Sequence, residues 1–135
     1  MRLIPSLVAV AAVVTCSDSF TPTLENVVGD YTFESLTAVT DTGGTQDWVA
    51  AGATITISLG TNGTTTGHLF LPGAGDGGAD VNADMAGTWT LTDGIVEFGQ
   101  TADTFVRDMT FSARKDRLAA DRTFTGARVI VVLTK

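Results

Sequence analysis

From residue 29 onward, apolar and polar side chains alternate with a period of two, in short runs broken by Gly, Asp and Asn. That period sends successive side chains to opposite faces, so each run predicts a β-strand with one buried side. The clearest run is residues 53–59, where Ile55, Ile57 and Leu59 alternate with Thr54, Thr56 and Ser58. Asn62-Gly63 follows, a pair that accepts the positive φ of a tight hairpin. Residues 64–71 return until Pro72-Gly73 stops them, and residues 87–92 turn at Asp93-Gly94 into 95–98. Residues 29–36 carry Tyr31 and Phe33 on one side and charges on the other. Residues 105–111 set Phe105, Arg107, Met109 and Phe111 in one register. A charged turn at 113–116 leads into 117–123, and the apolar run 126–133 ends the series. The pattern predicts eight strands and no helix, with the stretch 40–49 around Trp48 leaving room for a helical turn.

Eight short strands joined by tight turns build either a closed up-and-down barrel or a two-sheet sandwich. Sequential hairpins favour the all-β, eight-stranded antiparallel barrel. Closure also removes the sheet edges that a chain without a disulfide or covering helix would leave open. The inner face is expected to hold Tyr31, Phe33, Trp89, Phe98, Phe105, Met109 and Phe111. Ile55, Ile57, Leu59, Leu91, Val96, Leu118, Val129, Val131 and Leu133 join them. Residues this large on short strands favour a filled interior, while small inward ones such as Ala53 and Ala120 leave room for one small ligand. Arg107 falls among these apolar neighbours, which places it at a barrel mouth or in an ion pair. Asp108 falls on the opposite face of that strand, so the two are not expected to pair with each other.

The start of the chain has a different pattern. Met1-Arg2 precedes an apolar run through Val14, then Thr15-Cys16-Ser17-Asp18-Ser19. One positive charge before about a dozen apolar residues has the form of a secretory signal and is too short to span a bilayer. The run ends at Cys16, the only cysteine in the chain. Val13-Val14-Thr15-Cys16 resembles the lipobox of a bacterial lipoprotein signal, with Thr15 where Gly, Ala or Ser is usual. The resemblance implies cleavage before Cys16 and a diacylglycerol on its thiol, which would anchor the protein to a membrane. A free thiol outside the cytoplasm tends to pair or oxidise, which also favours lipidation. Residues 1–15 are thus read as a signal peptide, 16–27 as the lipidated cysteine with a flexible polar tether, and 28–135 as the barrel domain. Ser17, where Asp would imply retention at the inner membrane, implies the outer membrane, with the domain facing the periplasm.

The formal charge of the whole chain is −7, and removing Arg2 with the signal makes it one unit more negative. An acidic domain lacks the basic stripe that nucleic acid requires. At this size one domain buries a proper core.

The strand openings Gly29-Asp30-Tyr31 and Gly87-Thr88-Trp89, together with the eight-strand meander, resemble lipocalin-like barrels. In that family a Gly-x-Trp of the first strand closes the barrel floor and a basic residue near the last strand packs on the Trp. The resemblance implies that role for Tyr31, with Arg128 as its partner. The chain is shorter than a typical lipocalin and lacks that family's disulfide. Residues 16–23, 65–73, 87–91 and 102–109 also resemble phrases of small bacterial lipoproteins, a group that brings no activity with it.

Chemistry is sparse. Asp80, Asn82 and Asp84 have the alternate spacing of oxygen ligands for Ca²⁺, but Met85 and Leu91 stand where an EF-hand needs Gly and Glu. Without those the segment reads as a Gly/Asp hairpin loop. The sole histidine, His68, has no second base beside it, and Glu34 and Glu97 fall on outward registers. No enzyme signature and no cofactor motif survives. Two functions stay open: a lipid-anchored barrel binding a small apolar ligand, with Tyr31, Phe33, Trp89, Phe98, Phe105, Arg107, Met109 and Phe111 lining it, or a non-catalytic envelope scaffold with a filled core that contacts another protein.

Overall fold

Alternation in the sequence becomes alternation in burial. Along β3, Thr54–Leu59, the three apolar side chains are buried while Thr54 and Thr56 face solvent. The computed structural model describes residues 20–135. The other strands are β1, Gly29–Thr40; β2, Thr45–Asp47; β4, Thr64–Leu71; β5, Val81–Asp84; β6, Gly87–Thr92; β7, Ile95–Gln100; β8, Thr110–Arg114; β9, Arg117–Phe124; and β10, Ala127–Thr134. All ladders are antiparallel, and β10 pairs with β1 from Thr32↔Thr134 to Thr40↔Ala127, which closes the ring.

The barrel has eight staves, as the pattern predicts, but two of them are interrupted. β2 and β3 lie in line along β1, on its stretches Thr37 to Val39 and Gly29 to Thr32. β5 and β6 likewise share β4 as their neighbour. So the stretch 40–49 ends β1, turns at residues 41–44 and contributes β2, and only from Asp47 does it enter one helical turn, in which the Ala51 N–H donates to the Asp47 carbonyl at 3.2 Å. The Gly/Asp loop is more ordered than a plain hairpin loop, with one 3-10 turn at Asp76–Gly78 before β5.

The run 105–111 is corrected too. Its first half is a helical turn, α2, Phe105–Asp108, and only from Thr110 is it a strand. Helical winding puts Val106, not Phe105, inside the barrel end, and it lets Arg107 reach Asp103 one turn back at 2.5 Å. It also brings Arg107 Nε to 3.2 Å from Asp108 Oδ1, the pairing that an extended strand would forbid. Phe105 is left half-buried against the core.

The polar segment before the barrel is docked from Phe20 on. Thr23 caps a single helical turn, α1, Leu24–Val27, by accepting from the backbone N–H of Asn26. Val27 is buried and Phe20 packs against the core, so the segment described as a tether is in this part a plug. Strand direction alternates round the ring. The β3–β4, β6–β7 and β8–β9 turns and Lys135 therefore share the α1 end, and the β4–β5, β7–β8 and β9–β10 connections share the α2 end.

Candidate functional site

The predicted inner face converges largely as expected. Tyr31, Trp89, Phe98, Met109 and Phe111 are buried in one cluster with Ile55, Ile57, Leu59, Leu118 and Leu133. Phe98 and Phe111 meet edge to face, centroids 5.4 Å apart and planes at 75°. Burying each such side chain is worth roughly 1.5–3 kcal/mol, so the staves are held chiefly by this interior. Phe33 and Leu91 are only half-buried and pack at its margin. Arg107 is not inside; with its two carboxylates it sits on the rim of the α2 end.

Side chains close the α1 end and tie the staves together. At the α1 end the Tyr31 hydroxyl donates to the Val27 carbonyl at 2.6 Å, and Lys135 Nζ donates to the carbonyls of Asn26 and Val28 at 2.8 and 2.7 Å. The same ammonium lies 5.6 Å from the Tyr31 ring centroid. The basic residue on the first-strand aromatic is thus Lys135 and not Arg128, which makes a two-pronged pair with Asp121 on the outer face. Those hydrogen bonds hold the Asp121 carboxyl below the usual carboxylate range. Trp89 Nε1 donates to the Gly60 carbonyl at 2.9 Å, tying the other Gly-x-aromatic strand to the β3–β4 turn. Between β4 and β7, the Met85 carbonyl accepts from Thr65 Oγ1 at 2.7 Å and from Gln100 Nε2 at 3.2 Å. That pair of bonds satisfies the break between β5 and β6.

Burial of the Tyr31 hydroxyl, with the Asp116 carboxylate adding to it, pushes this phenol up from 10 to about 12. The folded chain keeps a proton that the unfolded chain releases near 10. Stability from this group is therefore complete below that value and falls as the pH rises toward 12, by roughly 2–3 kcal/mol in all. Tyr31→Phe is expected to cost about 1–2 kcal/mol at neutral pH, through the lost bond to Val27, and to flatten that alkaline decline. Urea melts of both proteins in neutral and strongly alkaline buffer check the two effects together.

The candidate calcium ligands lie along one strand edge and are otherwise engaged. Asp80 Oδ1 accepts from the Gly73 N–H at 2.9 Å, Asn82 Oδ1 meets His68 Nε2 at 3.1 Å, and Asp84 Oδ1 accepts from the Ala86 N–H at 2.7 Å. Among the described residues no group of three or more His, Cys, Asp or Glu is placed to hold a metal ion. Glu34 and Glu97 face outward on their strands, Glu34 paired with Arg117. Cys16 lies outside the described residues.

An open groove of about 410 Å³ runs over the outside of β8 to β10, lined by Thr110, Ser112, Arg114, Asp121, Ile130 and Val132. Its apolar floor was legible as the outward phase of the last strand, Ile130 and Val132 between inward Val131 and Leu133. Gln100 was legible in the same way, as the next inward position after Val96 and Phe98, whereas nothing local marks Val27 or Lys135 as closing a barrel end. No protein-family model, curated protein or solved structure matches this chain.

Proposed function

We propose that this chain is a lipid-anchored, non-catalytic interaction module of the bacterial cell envelope, held at the outer membrane through Cys16 and facing the periplasm. The observation that supports the reading is the buried aromatic cluster. Tyr31, Trp89, Phe98, Met109 and Phe111 pack with the aliphatic side chains of the staves in one core, where a lipocalin-like carrier would hold its ligand. Contact with a partner then falls to the outer face and the loops, where the β8–β10 groove offers a shallow apolar floor with Arg114 and Asp121 at its sides. The lipobox-like segment supplies the anchor, since two or three acyl chains hold a protein at a membrane where one does so only marginally.

The anchor is tested by intact mass and fractionation of the protein expressed in a Gram-negative host. The expected product begins at Cys16, carries a diacylglycerol and sediments with outer membranes. Cys16→Ser is expected to leave the protein uncleaved or soluble. A wild-type product with an unmodified thiol overturns the reading, and recovery of the lipidated protein with inner membranes overturns its placement.

A further inference from the structure

Two strands of the ring have a single neighbour, β2 beside β1 and β5 beside β4. A strand paired on one side leaves main-chain groups open on the other. In β2 part of that row is already used, since the Asp47 carbonyl accepts from the Ala51 N–H at 3.2 Å. β9 also runs on past the end of its β8 ladder, but there the Arg122 guanidinium crosses to the Asp108 carbonyl. β5 has no such cover.

Which groups of β5 are open follows from the ladder. Antiparallel pairs alternate between those that exchange main-chain hydrogen bonds and those that do not. The Met85 N–H donates to the Gly67 carbonyl at 3.0 Å, which marks Gly67 and Met85 as an exchanging pair. Along the register Leu69 with Ala83 and Leu71 with Val81 then exchange as well. On the far side of β4 the Gly60 N–H donates to the Thr64 carbonyl at 2.8 Å, which gives the even-numbered residues of β4 to β3, as this phase requires. The N–H and C=O of Asn82 and Asp84 therefore point away from β4, about 6.8 Å apart along the strand. Among the described residues none of these four groups has a hydrogen-bond partner. Both residues are exposed.

The side chains along this edge select what can join it. Residues 72–86 carry Asp76, Asp80 and Asp84 and neither Lys nor Arg. On the same outer face β4 brings His68, held to Asn82 Oδ1 at 3.1 Å, and β3 brings Thr54, Thr56 and Ser58. The Asp80 and Asp84 carboxylates each accept one backbone N–H and meet no base, while Arg107 is engaged by Asp103 and Asp108. A second copy of the chain fits poorly: two-fold pairing through Ala83 would set the two Asp84 carboxylates on one face, between molecules of formal charge −7.

We propose that the open edge of β5 receives an extended, basic segment of a partner protein as an added antiparallel strand. Asn82 and Asp84 supply the main-chain bonds, and lysine or arginine side chains on the outer face of the added strand meet Asp84 and Asp80. The inference rests on the chain being an interaction module and does not use its anchor.

The probe is a blocked hexapeptide alternating lysine with valine, added to isotope-labelled full-length protein in mild detergent, with amide exchange followed residue by residue. In the free protein the Asn82 and Asp84 amides are expected to exchange fast and the Ala83 amide, bonded to Leu69, slowly. The peptide is expected to slow Asn82 and Asp84 roughly tenfold or more and to leave Ala83 unchanged. Asp84→Asn, which keeps the oxygen that accepts from Ala86, is expected to weaken the effect several-fold. Asn82→Pro removes an N–H that no ladder uses and is expected to abolish it; the basic peptide with its edge-facing amides methylated makes the same test on unaltered protein. Slow exchange at Asn82 and Asp84 without peptide overturns the open edge, and slowing that follows protein concentration alone assigns the edge to a second copy and overturns the partner. Equal protection by a peptide alternating glutamate with valine overturns the basic class, and equal protection by the methylated peptide overturns strand addition. Changes confined to Ile130 and Val132 overturn this site while leaving the interaction module, through its groove, in place.

Discussion

Gly67→Ala is expected to abolish stable folding, or to cost about 4 kcal/mol or more where folded protein survives. Gly67 lies in the middle of β4, paired with Ile57, and its φ of +138° is one that side-chain-bearing residues rarely adopt. A Cβ there would lie 1.8 Å from the Thr56 carbonyl oxygen, which is backbone of the neighbouring stave and cannot swing away. The position also holds the barrel at its weak point. The Gly67 carbonyl accepts from the Met85 N–H at 3.0 Å, where β5 gives way to β6, so a shift of Gly67 loosens two staves at once. Gly126→Ala separates the two causes. Its φ is +89° but nothing lies within 4 Å of the added carbon, so the cost there is the backbone strain alone, about 1–2 kcal/mol. Thermal melts of the two variants beside the wild type measure the difference. With a typical domain only 5–15 kcal/mol stable, the first substitution decides whether the chain folds and the second does not.

Phe111→Ala is the second large effect, expected at 3–5 kcal/mol. Phe111 is fully buried, pairs with Val96 across the ladder and presents its ring to Phe98. Removing the ring takes away that contact and opens a cavity beside Val96 and Phe98, the apolar partners of the lost ring. An apolar cavity of this kind stays empty of water and takes up benzene or xenon. The variant should therefore be stabilised by saturating benzene, while the wild type, with the ring in place, should not. Phe105→Ala, at the half-buried rim, is expected to lose much less and to gain no such response.

How much of this was readable from the residues depends on whether a segment buries one face. Residues 54–59 do, and Ile55, Ile57 and Leu59 stand where their period puts them. β2 buries nothing: Thr45, Gln46 and Asp47 are all exposed, so no apolar rhythm announces a strand that exists only because β1 offers a free edge beside it. Residues 105–108 were misread for a different reason. Four residues are too few to separate a period of two from one turn of helix, and the choice was made by burial of Val106 and by the reach of Arg107 to Asp103. The plug at the α1 end was hidden by distance along the chain. Lys135 closes over Asn26, Val28 and Tyr31, and such a contact between the two termini leaves no local mark. The inner aromatics were legible as a set, yet whether they fill the barrel or line a cavity depends on stagger and on the plug at the α1 end.

The most direct test of the proposed cargo-free barrel is native mass spectrometry of the processed protein, released from membranes without denaturation. A barrel filled by its own side chains yields one species, the chain from Cys16 with its covalent lipid and nothing more. A reproducible further mass that leaves on organic extraction, and that Trp89 or Phe98 substitutions shed, would contradict it and make the interior a binding site.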